Sequence, residues 1–253
     1  MARHPRALKD AVVLVAGTGS RLRPLTNDRP KCLVEVGGRP ILARLLDRLA
    51  SAGIARAVLA TGHCADALGE HFARHPSPLE VVFVANERFA TTNNAYSLFT
   101  TRDQLDGRGF LLCDGDVLLA PGVVDRLLDD EEDNALLVER RDDMGEEEMK
   151  AVVDSNLRVT ALAKTLRPEA AFGESIGVQK VGGTSAPALW TTLTEMMRSG
   201  GEGEYYEAAF QRMIDGGIAF RAVPVTGEEW IEIDDVADLE RAEAQVRARA
   251  WDR

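Results

Sequence analysis

The chain has 253 residues, of which 45% are hydrophobic, enough to build one sizeable α/β core. Its formal net charge of −11 excludes a general nucleic-acid-binding surface, because such a surface needs a basic stripe that neutralises phosphates. The three cysteines are scattered and form no C-x-x-C pair, which favours reduced thiols and a cytoplasmic protein. No apolar stretch approaches the length of a transmembrane helix, so we expect no membrane partner.

Apolar, strand-like runs alternate with helical patterns along the chain, and no Pro/Ser-rich linker or internal repeat interrupts them. This alternation predicts an α/β fold in a single domain over residues 1–253. Strands are predicted at residues 11–16, 57–61, 79–85, 110–112, 135–139, 222–225 and 228–233. Helices are predicted at 41–52, ending before Gly53, and at 236–249. A hairpin is predicted within 150–164, in an excursion over about 140–180 that we expect to line an active site.

The first predicted strand runs directly into a glycine turn. Gly17 and Gly19 allow the backbone to turn tightly with its amides facing outward, where an anion can approach without a Cβ in the way. Four basic residues follow within a short distance: Arg21, Arg23, Arg29 and Lys31. Arg21 offers a planar fork for two phosphoryl oxygens, and Lys31 is a compact point charge. The segment therefore predicts a phosphate cradle with a charged clamp.

Other glycine motifs fit this segment less well. A P-loop needs a Gly-Lys pair that the turn lacks, and a dinucleotide fingerprint needs a third glycine where Leu22 stands. Glu35, after the next apolar run, is the only residue that imitates the ribose-binding acid of that fingerprint. A glycine-rich βα turn with solvated arginines remains the structural alternative.

The residues Leu14 to Leu22, followed by Pro30-Lys31-Cys32-Leu33, resemble the L-A-A-G-x-G-x-R-L and P-K-x-L signature of the sugar-1-phosphate nucleotidylyltransferase superfamily. Val15 is the one departure from that signature. The resemblance implies a three-layer α/β/α sandwich, Rossmann-like and of the GT-A type, with a mixed, mainly parallel sheet. It also implies catalytic roles for Arg21 and Lys31. The nucleotide contacts that it implies are Val15, Ala16, Gly17, Thr18, Gly19, Ser20, Arg21, Lys31, Thr61, Asn94, Ser97 and Asp114.

A second landmark is the pair Asp114 and Asp116, which follows an apolar strand and is separated by Gly115. Ligands in open α/β sheets sit at strand ends, and Mg²⁺ takes one or two protein carboxylates together with phosphate oxygens. A β-turn is the rival explanation, since Asp-Gly is common in turns. The phosphate clamp upstream favours a metal. The pair resembles the superfamily's G-D block, with Asp116 as the metal ligand and Asp114 as its neighbour.

A third landmark lies near the end of the chain. Glu232 and Asp234 alternate with two isoleucines, so on a strand both carboxylates face one side, where they repel each other unless a cation lies nearby. A helix N-cap is the rival role for Asp234 or Asp235. The block resembles the second metal segment of the superfamily, and the resemblance implies that Asp116, Glu232 and Asp234 hold one Mg²⁺.

The segment Asn86 to Leu98 is similar to the N-x-x-[YF]-x-x-x-N-N-x-Y-S-L stretch of bacterial phosphocholine cytidylyltransferases. Its Asn94 and Ser97 could contact the nucleotide, or could form the N-cap and first turn of a helix, and the two roles can coexist. The resemblance further implies acceptor contacts from Lys150, Lys164 and Glu174. Tyr205, Tyr206 and Glu207 follow a glycine-rich stretch, and we expect them to form part of the acceptor pocket. An aromatic wall there would suit a quaternary ammonium.

Together these features predict a Mg²⁺-dependent nucleotidyltransferase, closest to phosphocholine, inositol-phosphate and phosphonate cytidylyltransferases. The expected reaction transfers CMP from CTP to a small phosphorylated alcohol or phosphonate and releases pyrophosphate. Three alternatives stay open: a sugar-1-phosphate nucleotidylyltransferase that uses UTP or another NTP, a metal-dependent GT-A glycosyltransferase, and a catalytically silent nucleotide sensor. A homodimer is also left open.

Overall fold

A nine-stranded mixed sheet forms the centre of the computed structural model, which describes residues 8–105, 107–249 and 251. The strands in chain order are β1 (Asp10–Val15), β2 (Glu35–Val36), β3 (Arg39–Pro40), β4 (Arg56–Thr61), β5 (Glu80–Ala85), β6 (Phe110–Asp114), β7 (Val117–Leu119), β8 (Ala135–Glu139), β9 (Lys150–Val153), β10 (Val159–Ala163), β11 (Gly173–Val181), β12 (Arg221–Val225) and β13 (Trp230–Glu232). The helices are α1 (Ile41–Ser51), α2 (Ala65–Arg74), α3 (Asn94–Thr100), α4 (Val123–Asp129), α5 (Ala186–Arg198), α6 (Glu207–Asp215) and α7 (Val236–Arg249).

The main sheet runs in the order β10-β9-β11-β6-β1-β4-β5, and β8 joins β11 to β12. Its four strands β6, β1, β4 and β5 are parallel, whereas β11 is antiparallel to its neighbours β6, β8 and β9. Two small ribbons, β2–β3 and β7–β13, lie outside it. The sheet is therefore mixed, with a parallel half and a second half in which β11 is antiparallel to its neighbours and β12 is parallel to β8. This confirms the predicted fold class.

Strand β1 shows how the layers form. All six of its residues are buried, as expected of a strand that is paired on both edges and covered on both faces. Ala11 and Val13 belong to the core that contains Leu45 of α1, whereas Val12 lies with Leu189 of α5 on the other face. Alternate side chains of one strand thus serve two cores, and the helices form a layer on each side of the sheet.

The structure confirms most of the predicted strands, with differences of one or two residues at their ends. Helix α1 ends at Ser51, just before Gly53, whose φ of +92° is readily adopted by glycine. The predicted strand 228–233 is shorter and pairs with β7 instead of the main sheet. The prediction missed β11, whose nine residues are all buried although they include Glu174 and Lys180. None of the helices in the described ranges combines the length and apolar character that a membrane crossing requires.

The predicted hairpin forms from β9 and β10, paired antiparallel. Lys150, at the start of β9, is only 1% exposed, and its Nζ donates to the carbonyl oxygens of Glu148 at 3.1 Å and Lys164 at 2.7 Å. The structure therefore does not bring this ammonium to the surface of the cleft. We revise the interpretation of Lys150 from an acceptor contact to a support that ties the two ends of the hairpin together.

We expect Lys150→Met to lower the free energy of unfolding by about 1–3 kcal/mol, because two main-chain carbonyls lose their buried charged donor while the apolar chain length is kept. Urea unfolding followed by circular dichroism measures the change. The matched control is Lys164→Met, since the Lys164 side chain is 28% exposed and a partly exposed ion pair contributes about 0–1 kcal/mol. An unchanged urea midpoint for Lys150→Met would contradict this structural role.

Candidate active site

A cleft with a cavity volume of about 460 Å³ lies at the carboxyl ends of the parallel strands β1 and β6. This is where ligands bind in open α/β sheets. The sequence-predicted residues in its wall are Ala16, Gly17, Arg21, Asn94, Ser97, Asp114, Asp116, Lys164, Glu174, Glu232 and Asp234. Eight other predicted residues lie outside that wall: Val15, Thr18, Gly19, Ser20, Lys31, Thr61, Lys150 and Tyr206.

The glycine turn has the backbone that the sequence predicts. Gly19 has a φ of +57°, and a Cβ at this position would lie 2.9 Å from the Cβ of Lys31, so the turn is packed closely against the lysine. In the part of the chain that the structure describes, the N–H groups of Gly17, Thr18 and Gly19 donate to no protein acceptor. Three main-chain donors are thus available beside Arg21, an arrangement suited to an anion.

The two-stranded ribbon β7–β13 assembles the acidic cluster. Glu232 is paired with Val117, and the N–H of Ile233 donates to the carbonyl oxygen of Asp116 at 3.1 Å. Carboxylate oxygens of Asp116, Glu232 and Asp234 lie within 4.8 Å of one another. Oδ1 of Asp116 is buried and has no hydrogen-bond partner within the described ranges. The donor set, all carboxylate oxygen, fits a hard divalent cation such as Mg²⁺.

The sequence left two roles open for this segment, metal ligand and N-cap of α7, and the structure assigns them to different residues. Oδ1 of Asp235 accepts hydrogen bonds from the N–H groups of Ala237 (2.8 Å) and Asp238 (3.0 Å), and it therefore caps the helix. Oδ2 of Asp238 in turn accepts from the N–H groups of Asp234 (2.9 Å) and Asp235 (3.1 Å). The cap fixes the backbone of Asp234 and leaves its carboxylate to the cleft.

Lys31 and Arg21 neutralise the acidic cluster from the side of the glycine turn. Nζ of Lys31 lies 2.7 Å from Oδ2 of Asp116 and 2.6 Å from Oδ1 of Asp234. Nη2 of Arg21 lies 2.7 Å from Oδ2 of Asp234. Burial alone would lower the pKa of Lys31, but the two carboxylates outweigh burial and hold that pKa above its usual value. The other two arginines of the predicted clamp do not join them, because Arg23 is exposed outside the wall and Arg29 pairs with Asp28 in the wall of a different cavity.

Glu232 and Asp114 are two carboxyl groups that have too little positive charge around them to offset burial and their acidic neighbours. Burial, followed by the charges of Asp116 and Asp234, raises the pKa of Glu232 to about 8. Burial and the charge of Asp116 also raise the pKa of Asp114 well above its usual value. A divalent cation in the cluster would stabilise the ionised forms of these groups.

Tyr206 is a support for Asp114 and not an aromatic wall. It is fully buried, its hydroxyl donates to Oδ2 of Asp114 at 3.0 Å, and Nε2 of Gln179 donates to that hydroxyl at 3.1 Å. Gly177 has a φ of +74°, and a Cβ there would lie 2.4 Å from Oδ2 of Asp114, so only glycine leaves room for the carboxylate. The aromatic side chain exposed in this part of the cleft is Tyr205, whose ring centroid lies 4.7 Å from Nζ of Lys164.

Asn94 and Ser97 face the cleft and also hold local structure, as the sequence allowed. Oδ1 of Asn94 accepts the N–H of Tyr206 at 2.9 Å, and Oγ of Ser97 accepts from Nδ2 of Asn86 at 3.0 Å. The N-cap of α3 is Asn93, whose side chain accepts the N–H of Asn94, so the N-cap role considered for Asn94 is wrong and this residue is the first of the helix. Thr61 is buried, and its hydroxyl donates to the carbonyl oxygen of Val84 at 3.4 Å.

Sequence reasoning left out several polar residues of the cleft wall, among them Glu147, Glu148 and Ser175. Ser175 lies inside the Gly173–Gly177 block and could have been included on that signal. The two glutamates stand in an acidic, irregular segment that carries no periodic pattern. Nothing in their sequence surroundings distinguishes them from solvated charges.

Comparison with known proteins assigns this architecture to a family. The MobA-like NTP transferase domain matches residues 11–181. The chain is 33% identical over 242 residues to CMP-5'-(3-aminopropyl)phosphonate synthase of Streptomyces rubellomurinus, covering 92% of this chain and 38% of that protein. It is 37% identical over 135 residues to UTP–glucose-1-phosphate uridylyltransferase of Haloferax volcanii, covering 52% of this chain and 54% of that protein. The chain thus spans 38% and 54% of the lengths of these two relatives.

The fold comparison agrees. The structure of CTP:phosphocholine cytidylyltransferase from Streptococcus pneumoniae superposes with a TM-score of 0.76 at 23% identity, covering 93% of this chain and 97% of that chain. The chain therefore belongs to the MobA-like NTP transferase family, which confirms the resemblance to nucleotidyltransferases indicated by the glycine turn.

Proposed function

We propose that the chain is a Mg²⁺-dependent cytidylyltransferase that transfers CMP from CTP to a small phosphate or phosphonate acceptor and releases pyrophosphate. The observation that carries this proposal is that one cleft is lined both by a three-carboxylate cluster and, through Gly17 and Arg21, by the edge of an anion cradle. The cradle consists of free main-chain amides beside Arg21, and the cluster is bridged to it by Lys31. The choice of CTP and of the acceptor class rests on the relative from Streptomyces.

The proposed chemistry is an in-line displacement at the α-phosphorus of CTP. An oxygen of the acceptor forms a new bond to that phosphorus, and the bond to the bridging oxygen of pyrophosphate breaks. The acceptor oxygen is already anionic at neutral pH, so no dedicated general base is needed. Positioning and charge neutralisation must supply the acceleration.

The residues divide this work by their positions. The amides of the glycine turn and Arg21 would bind the phosphates that leave, because they form an exposed cationic edge of the cleft. Asp116, Glu232 and Asp234 would hold Mg²⁺, which would neutralise charge on the phosphoryl oxygens. Once a cation satisfies Asp116 and Asp234, the Lys31 ammonium is no longer needed there and can serve the α-phosphoryl group instead.

A uridylyltransferase acting on a sugar 1-phosphate is the second candidate. It is favoured by the 37% identity to the relative from Haloferax volcanii. A glycosyltransferase is disfavoured, because it handles a nucleotide diphosphate sugar and does not need an arginine, a lysine and free amides around a triphosphate. A silent nucleotide sensor is disfavoured because Lys31 and all three acidic residues are in place.

The direct test is a pyrophosphate-release screen. CTP and UTP are each combined with phosphoethanolamine, phosphocholine, glycerol phosphate, inositol phosphate, small phosphonates and glucose 1-phosphate in the presence of Mg²⁺. We expect release with CTP and at least one small phosphate or phosphonate. Release confined to UTP with glucose 1-phosphate would support the second candidate, and release with no pair would contradict both.

Lys31→Ala should have two opposite effects. Turnover should fall by about a hundredfold, because a transition-state contact to a phosphoryl group contributes about 3 kcal/mol. The affinity for Mg²⁺ without nucleotide should rise, because Asp116 and Asp234 lose the ammonium that competes with the ion. Steady-state kinetics and calorimetric Mg²⁺ titration measure these effects. The control is Lys9→Ala, because Nζ of Lys9 donates to the carbonyl oxygen of Gly53 and Lys9 lies outside the cleft wall. Unchanged turnover would remove Lys31 from the mechanism.

Mg²⁺ affinity should depend on pH through Glu232. Burial first, and then Asp116 and Asp234, raises the pKa of Glu232 to about 8, so below that pH the carboxyl is protonated and must lose its proton to bind the ion. The affinity should therefore rise with pH between about 6 and 8, by up to tenfold per unit. Calorimetry in buffers of different ionisation enthalpy counts the proton released. Glu232→Gln should abolish this pH dependence, and a flat profile for the parent protein would contradict the assignment.

A further inference from the structure

We propose that the acceptor carries a primary ammonium group and that Glu207 binds this group in the cleft. The inference rests on the proposed function and narrows its substrate class to aminoalkyl phosphates or phosphonates. The anionic end of such an acceptor faces the cation-binding cluster, and its cationic end faces Glu207.

The first observation is where buried polar groups lack partners. Among the described residues, four buried side-chain atoms have no hydrogen-bond partner, and three of them belong to residues that line the cleft: Asp116, Ser175 and Glu207. Oδ1 of Asp116 belongs to the acidic cluster. Oγ of Ser175 and Oε2 of Glu207 have no such explanation, although Glu207 is only 5% exposed. Buried polar atoms nearly always have a hydrogen-bond partner, so both atoms indicate a ligand that carries hydrogen-bond donors.

The second observation is the charge of the surrounding wall. Four glutamates line this part of the cleft: Glu147, Glu148, Glu174 and Glu207. The nearby cations are already engaged, since Nζ of Lys164 lies 3.3 Å from Oε2 of Glu147, and Nη1 of Arg141 lies 3.0 Å from Oε2 of Glu174. Among the described residues, neither Glu148 nor Glu207 has a cationic side chain within ion-pair distance. A second anion would be repelled here, whereas a cation would be attracted.

The third observation concerns the kind of cation. A quaternary ammonium has no N–H group, so it would leave Oε2 of Glu207 unsatisfied, and it is usually bound on aromatic faces. In the wall as described, the aromatic side chains are Phe89 and Tyr205, and the Tyr205 ring is already in contact with the Lys164 ammonium. A primary ammonium offers three donors to carboxylate and hydroxyl oxygens.

The position of Glu207 at the start of α6 does not account for these features. The positive end of the helix favours a carboxylate there. It does not explain why an oxygen that is buried in the cleft wall has no partner. Burial raises the pKa of Glu207 to about 7, which means that the ionised carboxylate is destabilised in the free site. A bound cation would remove this destabilisation.

The test compares acceptors that differ only at the far end. 2-Aminoethyl and 3-aminopropyl phosphate are compared with their hydroxyl counterparts and with phosphocholine, at saturating CTP. For the amine acceptor with the higher kcat/KM, we expect that value to be at least tenfold above the kcat/KM of its hydroxyl counterpart and of phosphocholine. Glu207→Gln should lower kcat/KM for the amine at least tenfold, mainly through KM. The same substitution should change kcat/KM for the hydroxyl acceptor by less than threefold and leave the calorimetric Kd for CTP unchanged.

Glu204→Gln is the matched control, because it removes the same charge three residues earlier from a carboxylate that pairs with Arg212 outside the cleft wall. Glu207→Asp, which keeps the charge, serves as a second variant if Glu207→Gln does not fold, and it should retain the preference for amines.

Three outcomes would overturn the inference: equal use of amine and hydroxyl acceptors, equal loss on both in Glu207→Gln, or loss of CTP affinity in that variant. Turnover of hydroxyl or sugar acceptors with none of amines would contradict this inference alone. Absence of turnover with every acceptor and either nucleotide would contradict the proposed function itself.

Discussion

The contact of one ammonium with two carboxylates holds the cleft together. Lys31 joins Asp116 and Asp234, which are 85 and 203 residues away along the chain. The side chain of Lys31 is only 14% exposed, so this charge is stable only with both partners present. The glycine turn, the end of β6 and the start of α7 are thus held at one point by charge pairing. A divalent cation can replace the ammonium at these two carboxylates, and the released ammonium can then pair with an anionic ligand.

The main sheet alone does not build the acidic cluster. Asp116 follows the central strand β6, whereas Glu232 and Asp234 come from a segment outside the main sheet, and the ribbon β7–β13 connects the two. The neighbouring cap of α7 then fixes the backbone of Asp234 through Asp238. Short local elements at the carboxyl end of the sheet therefore set the geometry, and the large sheet supplies a rigid base for them.

The sequence predicted the parallel half of the fold and the residues of the acidic cluster because both leave local signals. Continuous apolar runs mark β1 and β4, and Asp116 and Asp234 stand in short, recognisable blocks. The sequence-based prediction failed where charged or polar residues are buried. Strand β11 buries Glu174 and Lys180, so its composition hides it. The resemblance predicts Lys150, and the glycine-rich stretch before Tyr206 predicts that residue, at the surface of the cleft, but both are enclosed and bind protein groups instead. No sequence pattern distinguishes a buried, satisfied lysine from one that reaches a substrate.

The separation between Lys31 and its partner Asp234 also has a consequence during synthesis. A ribosome that adds about 5–20 residues per second needs about 10–40 s to make the intervening chain. During that interval the glycine turn and the β1–β4 pair can form, but Lys31 lacks its second carboxylate partner, Asp234. The nascent chain therefore cannot assemble the complete charge balance of the cleft. The three contacts that join Lys31 and Arg21 to the acidic cluster exist only when the residues just before α7 have folded back onto the glycine turn.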